Sequence, residues 1–316
     1  MKAKRSKGYI LKGIVLCCVC VMFTGCSFGK RKVETENTVK AKFSENYREI
    51  VAKGLIFKVS KKKKTAAVTS YYKLDQEVFE IPDSILYKKQ VYPVTKVEDG
   101  AFGSDASVKE VSLGKNVEEI GNDAFYSCSE LKKINFSEGL KRIGSYALGA
   151  CAFTEIEFPA SLETLGDYAC TASDALKKVT ISGSLKNWGM ETFSECHALE
   201  EVTFTEGAAT VGKGAFTNDD ALKKVSFPDS FKDIGDEAFW GCEALTEITL
   251  PEGLIKIGEN AFMNSGIREL RIPGGVTEIG LAQVDGMSEL KKLIVPEAYA
   301  SDLEEIFGED VEIETY

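Results

Sequence analysis

Five cysteines in the body of this chain, Cys128, Cys151, Cys170, Cys196 and Cys242, and its single histidine, His197, are the residue types from which nucleophilic, redox or metal chemistry would be built. A thiol nucleophile needs an imidazole aimed at its sulfur. His197 directly follows Cys196, and neighbours on a turn point apart, so the two do not read as a dyad. No zinc-type Cys/His spacing, P-loop or dinucleotide fingerprint occurs in the sequence, and Gly212-Lys213-Gly214 reads as a turn. The 49 carboxylates are scattered, with no pair marked out as acid and base. The expectation is a protein without catalytic residues, metal or cofactor.

The cysteines follow a different logic, because Cys128, Cys151, Cys196 and Cys242 each lie seven residues after a glycine. Ser173, Asp219 and Ser265 take the same slot elsewhere. That is the pattern of a column of small buried side chains, and free cysteine packs as a small hydrophobe. Cys170 stands in a slot that other units fill with phenylalanine. Within that column only Cys128 and Cys151 belong to adjacent units, so any disulfide would be confined to them.

The elements that position these residues repeat. Gly121, Gly144, Gly166, Gly189, Gly212, Gly235, Gly258 and Gly280 recur every 22 or 23 residues, with Glu98 in phase one unit earlier, so nine coils begin in register. The unit from Gly235 shows the slots: Ala238-Phe239, Cys242, Leu245, Ile248, Leu250-Pro251, Leu254 and Ile257. The Ala-Phe pair suits a short helical turn. The L-x-x-I-x-F stretch, as in Leu131, Ile134 and Phe136, reads as a short strand ended by proline at Pro159, Pro228, Pro251, Pro273 and Pro296. One coil cannot bury these side chains alone, whereas stacked coils bury them against the same slots of their neighbours. The predicted fold is therefore a solenoid of about nine coils with mostly short parallel strands, its sheet roughly 40 Å long at about 4.8 Å per strand. A phenylalanine in a middle coil, such as Phe216, should contribute more to stability than Phe102 near one end.

Outside the repeats, residues 1–25 combine Lys2, Lys4, Arg5 and Lys7 with an apolar run too short to span a bilayer, the pattern of a signal peptide. Cys17-Cys18-Val19-Cys20 falls inside that discarded run. The run ends in Phe23-Thr24-Gly25-Cys26, which resembles a bacterial lipobox; the resemblance implies acylation of Cys26 and a membrane anchor through it. Residues 26–48 read as a flexible tether and 49–96 as a β-rich N-terminal cap, with strands at 55–59 and 66–72 joined through Lys61, Lys62, Lys63 and Lys64. Residues 97–296 hold the repeats. In 297–316 Tyr299, Leu303 and Ile306 share one helical face before a short strand at Val311 and Ile313, as a C-terminal cap would.

Charge divides the same way. Residues 26–96 carry a net +8 and residues 97–316 a net −23. On the strands, the residue before the inward Ile faces solvent. Coil by coil it is Glu110, Lys133, Glu155, Lys178, Glu201, Lys224, Glu247, Glu269 and Lys292, nearly alternating in sign. Opposite charges on neighbouring strands support one another, and like charges repel. With its two flanking columns this face holds 11 basic and 7 acidic residues, while the flanks of the solenoid are acidic.

The unit resembles the BspA-type leucine-rich repeats of bacterial surface proteins, close to G-x-x-A-F-x-x-C-x-x-L-x-x-I-x-I-P-x-x-[LV]-x-x-I, over residues 97–296. The resemblance implies a lipid-anchored protein on the extracellular face of the cell envelope. It also implies a repeat scaffold, with no enzymatic activity, for an extracellular protein or glycan partner and none for nucleic acid. The charged strand column is the candidate contact face. Alternatives are a structural envelope component docking on cell-wall polymer through Lys61–Lys64, an accessory domain for a separate enzyme, and a strand column that serves only to keep the sheet soluble.

Overall fold

The computed structural model describes residues 37–44, 49–72, 76–183, 185–280, 286–300 and 310–316. Cys26, residues 1–25, Leu303 and Ile306 lie outside the described residues. Within them the chain is a solenoid of about nine coils, each built from three hydrogen-bonded walls around one continuous apolar core.

The first wall is the expected strand, seen at Glu110–Ser112, Lys133–Asn135, Glu155–Glu157, Lys178–Ile181, Glu201–Phe204, Lys224–Ser226, Glu269–Arg271 and Lys292–Val295. Alternation sends Val179, Val202 and Val225 inward and leaves the flanking polar residues outside.

A second wall lies just before each glycine, as parallel two-residue strands such as Glu119–Ile120, Arg142–Ile143, Asp233–Ile234 and Lys256–Ile257. Glycine then follows because the backbone of the preceding coil is too close for a Cβ. A Cβ built on Gly235 would lie 2.7 Å from the carbonyl carbon of Gly212. Close approach, rather than a left-handed backbone, is what excludes larger residues there.

The third wall differs from expectation. The Ala-Phe segments form turns rather than helix among the described residues, where the one complete helical element is the 3-10 turn Glu297–Tyr299. Each of the eight coils from Glu98 to Gly258 instead places two residues at positive φ, for example Asp123 and Ser127, Tyr146 and Ala150, or Glu237 and Gly241. The result turns alternate N–H groups along the solenoid axis. Phe125 N–H donates to Ala147 O at 2.9 Å, Phe216 N–H to Ala238 O at 2.9 Å and Phe239 N–H to Ala261 O at 2.8 Å. A helix would spend those donors within its own coil, whereas this geometry spends them on the next one.

Asp and Asn side chains one residue after the glycine add a second tie. Asn122 Oδ1 accepts Ser145 N–H at 3.0 Å, and Asp236 Oδ1 accepts Glu259 N–H at 3.1 Å. Inside, phenylalanines stack coil on coil, as Phe216 does between Phe193 at 5.3 Å and Phe239 at 5.6 Å. Leu148 and Cys170 interrupt that stack, and Phe158 and Trp188 pack edge-on against Phe193 at 6.1 and 6.5 Å from the other walls.

At the N-terminal end, Leu55–Ser60 and Thr65–Tyr71 form an antiparallel hairpin, and the second strand pairs in parallel with Gln90–Val97, extending the second wall. Tyr71 stacks on Phe102 at 5.4 Å and its hydroxyl donates to Asp105. Paired strands begin earlier than the tether boundary implied. Thr38–Lys40 pairs with Ser84–Tyr87, and Lys42–Ser44 with Glu49–Ala52. Their main-chain groups are taken up by sheet edges although Lys40, Lys42 and Phe43 stay exposed, which hides them from a hydrophobic-periodicity reading. Glu312–Thr315 pairs in parallel with Lys292–Val295 at the other end.

Candidate binding surface

The first wall carries the charged column, and its register shows which of those side chains meet. Lys133 sits opposite Glu110, and Glu201 sits between Lys178 and Lys224. The contacts follow: Lys133 Nζ lies 3.0 Å from Glu110 Oε1, and Glu201 holds Lys224 at 2.9 Å and Lys178 at 3.3 Å. Hydrogen bonds from Lys133 and Asn135 draw the pKa of Glu110 below the ordinary carboxylate value, and those from Lys224 and Lys178 do the same for Glu201. Glu155 is in register with Lys178, and Glu269 with Lys292. Lys292 bonds onward to Glu314, which raises its pKa.

The column is not continuous, however. Lys133–Asn135 pairs only backward and Glu155–Glu157 only forward, so Lys133 and Glu155 are not ladder partners. Glu247 lies in a stretch, Thr246–Leu250, that forms no strand, which separates Lys224–Ser226 from Glu269–Arg271. The first wall is thus three short sheets.

A one-residue deletion coincides with the first break and with the far side of the second. Five residues lead from Cys128 to Lys133, but only four from Cys151 to Glu155 and from Ser265 to Glu269. The missing residue belongs to the turn feeding the strand, so the strand arrives out of register with its predecessor. The 22-residue spacings are visible in the sequence; their effect on the sheet is not.

Both breaks open into clefts. One of about 670 Å³ is lined by Lys132, Lys133, Asn135, Glu155, Glu157 and Thr180, with Phe136 and Phe153 among its apolar contacts. The other, of about 920 Å³, is lined by Lys223, Lys224, Glu247, Thr249, Arg268, Glu269 and Arg271 beside Phe227 and Pro251. Each combines both signs of charge, amide or hydroxyl groups and a hydrophobic side chain. These volumes are in the range that small ligands or a few residues of a partner fill.

The cysteine column is interior. All five cysteines are free and buried, and Cys128, Cys151 and Cys242 donate their S–H groups to carbonyls of the preceding coil at 3.2, 3.3 and 3.2 Å. Burial pushes the Cys128 thiol up to about 11 and the others well above their ordinary value, the reverse of what a nucleophile needs. His197 is exposed and turned to Asp220 Oδ1 at 3.3 Å rather than to Cys196. Among the described residues no cluster of three or more His, Cys, Asp or Glu could hold a metal, and no helix is long and apolar enough to cross a membrane.

Comparison with known proteins agrees with this architecture. The BspA type leucine rich repeat region matches in six copies over residues 95–223 and 209–315. The crystal structure of a leucine-rich repeat protein from Bacteroides ovatus superposes with a TM-score of 0.66 at 26% identity, covering 84% of this chain and 67% of that one. The T. pallidum leucine rich repeat protein gives a TM-score of 0.56 at 26% identity, covering 62% of this chain and 90% of that one. No curated protein matches the sequence.

Proposed function

Since the chain belongs to the BspA-type leucine-rich repeat proteins, we propose that it is a surface-exposed scaffold, without enzymatic activity of its own, that binds an extracellular protein or glycan through its first wall. The observation that carries this reading is the pair of clefts at the two register breaks. A strand face that served only solubility would need no recess, and here each recess gathers lysines or arginines, carboxylates, amide or hydroxyl groups and an aromatic ring. Such mixed polar surfaces around a hydrophobic contact suit specific recognition rather than general adhesion. Nucleic acid is a poor fit, because the solenoid carrying the face has a net charge of −23.

Attachment through an acylated Cys26 completes the proposal, holding the first wall outside the cell on the stretch that precedes Thr38. Changing Cys26 to Ala should release the protein from the membrane fraction or leave it unprocessed; a variant that still sediments with membranes after a salt wash would remove the anchor. For the face, wild type and a Lys133→Glu, Lys178→Glu, Lys224→Glu variant should be compared on immobilised matrix proteins and glycans, with equal charge reversal on an acidic flank as control. Loss of binding only in the face variant is the expected result. Equal binding by both variants would place recognition elsewhere.

A further inference from the structure

The third wall carries an aromatic ridge that the binding face does not use. Tyr126, Tyr146 and Tyr168 come from three successive coils; Tyr146 stacks on Tyr168 at 4.9 Å and meets Tyr126 edge-on at 5.8 Å. Tyr126 and Tyr146 are 38% and 37% exposed, and Met190, on the next coil, is 46% exposed and continues the ridge. Tyr146 and Tyr168 hold this position at φ of 55° and 57°. That backbone is a steric outlier for a bulky side chain; the same slot carries Gly100, Asp123, Gly214 and Asn260, which adopt it readily, and in two further coils Glu191 and Glu237. Folding alone therefore favours other residues at both positions.

The rim has one sign of charge. The turn segments 122–127, 145–150, 167–172 and 190–195 contain Asp123, Asp167, Glu191 and Glu195 and no Lys or Arg. Exposed tyrosines in such a setting suit a basic protein surface, since their edges and hydroxyls give contact area at little entropic cost.

The chain itself displays such a surface. Lys61–Lys64, all exposed, form the tip of the N-terminal hairpin. The tip cannot reach the ridge of its own molecule. Thr65–Tyr71 runs parallel to Gln90–Val97, whose far end enters the third wall, and Tyr71 meets Asp105 there. The lysines sit at the opposite end of that seven-residue strand, about 20 Å from Tyr71.

We propose that a second copy of this chain occupies the ridge, its Lys61–Lys64 hairpin tip set among Asp123, Glu191 and Glu195 and against Tyr126, Tyr146 and Tyr168. Tip and ridge are different patches, so the contact is heterologous: a bound pair keeps one free tip and one free ridge, and association continues into open-ended arrays rather than stopping at a dimer. The surface is separate from the first wall, so partner binding there and self-association are independent.

Sedimentation velocity of the full chain in mild detergent, over a range of concentrations at low and high salt, tests this. Wild type should associate with rising concentration at low salt and dissociate at high salt. A Lys61→Glu, Lys62→Glu, Lys63→Glu, Lys64→Glu variant and an Asp123→Lys, Glu191→Lys, Glu195→Lys variant should each be monomeric alone and associate when mixed. Tyr146→Asn with Tyr168→Asn should weaken association by about tenfold or more. Asparagine accepts the left-handed backbone, so that variant should fold at least as well as wild type, which separates lost contact from lost structure. A wild type that stays monomeric at every concentration, or association indifferent to both the tip and the tyrosine changes, would overturn the proposal.

Discussion

Asp219 Oδ1 accepts the main-chain N–H of Cys196 at 2.8 Å, one coil back, while its second carboxyl oxygen is buried without a partner. It stands fully buried in a slot that six other coils give to cysteine or serine, with Cys196 and Cys242 on either side in the column and Asp220 beside it. Burial pushes its pKa well above the ordinary carboxylate value, the Cys196 N–H opposes this and the Asp220 charge adds to it.

Because the folded-state pKa is raised, the folded protein holds this proton where the unfolded chain has released it. Stability is therefore fully retained below about pH 4 and declines as pH climbs from there through the raised folded-state value. Asp219→Asn keeps an acceptor for Cys196 and removes the titration. Thermal unfolding across pH should show it more stable than wild type at neutral pH, by about 1–3 kcal/mol, with the gain vanishing near pH 4. Parallel pH profiles for the two proteins would refute a buried titrating carboxyl.

Phe216→Ala should cost about 3–5 kcal/mol, since its ring is flanked by Phe193 and Phe239. The sequence suggested a smaller cost at Phe102, near the start of the repeats. The structure revises this, because Tyr71 and Phe79 of the N-terminal unit pack on one side of Phe102 and Phe125 on the other. Phe102→Ala should cost about as much as Phe216→Ala, and chemical denaturation of both variants will show it.

The five buried thiols should resist alkylation in the folded protein and react quickly on denaturation. Mass spectrometry of quenched samples should find Cys128, Cys151, Cys170, Cys196 and Cys242 unmodified at early times. Rapid native-state labelling at any of them would contradict the interior column.

Lys224→Glu should lower the melting temperature by about 1–3 °C at low ionic strength, with most of the loss recovered in salt, because Glu201 would then face an acid on an exposed surface. A double-mutant cycle should detect coupling between Lys224 and Glu201 and none between Lys133 and Glu155, which the register break separates. Equal coupling at both pairs would mean a continuous ladder.

The repeat, the inward slots, the proline positions and the alternating column were legible because each recurs at a fixed interval, and stacking amplifies whatever recurs. The third wall was not. Ala-Phe is good helical composition, and the left-handed positions that forbid a helix fall on residues such as Tyr146 and Ala150, whose types carry no mark of it. The second wall was missed because two-residue strands show no alternation. The first cleft lies where a single residue is absent between Cys151 and Glu155, and the second beside another absence between Ser265 and Glu269, a signal whose consequence emerges only when strands are placed beside one another; the loss of the strand at Thr246–Leu250, in a coil of ordinary length, carries no mark in the spacing.

The forward hydrogen bonding of the third wall has a genetic corollary. Phe125, Phe216 and Phe239 each donate to the same slot of the following coil, so every full coil presents the same donors ahead and the same acceptors behind. Joining Trp188 directly to Gly212 would remove one coil and bring like slots together, Phe193 giving way to Phe216 and Cys196 to Asp219. Whole units can thus be lost or duplicated by unequal recombination with the fold intact, while a shift of one residue changes the sheet. Lineages carrying this gene should vary in reach by multiples of about 4.8 Å, and in the shape of the binding face by single-codon deletions at the turn after the cysteine slot.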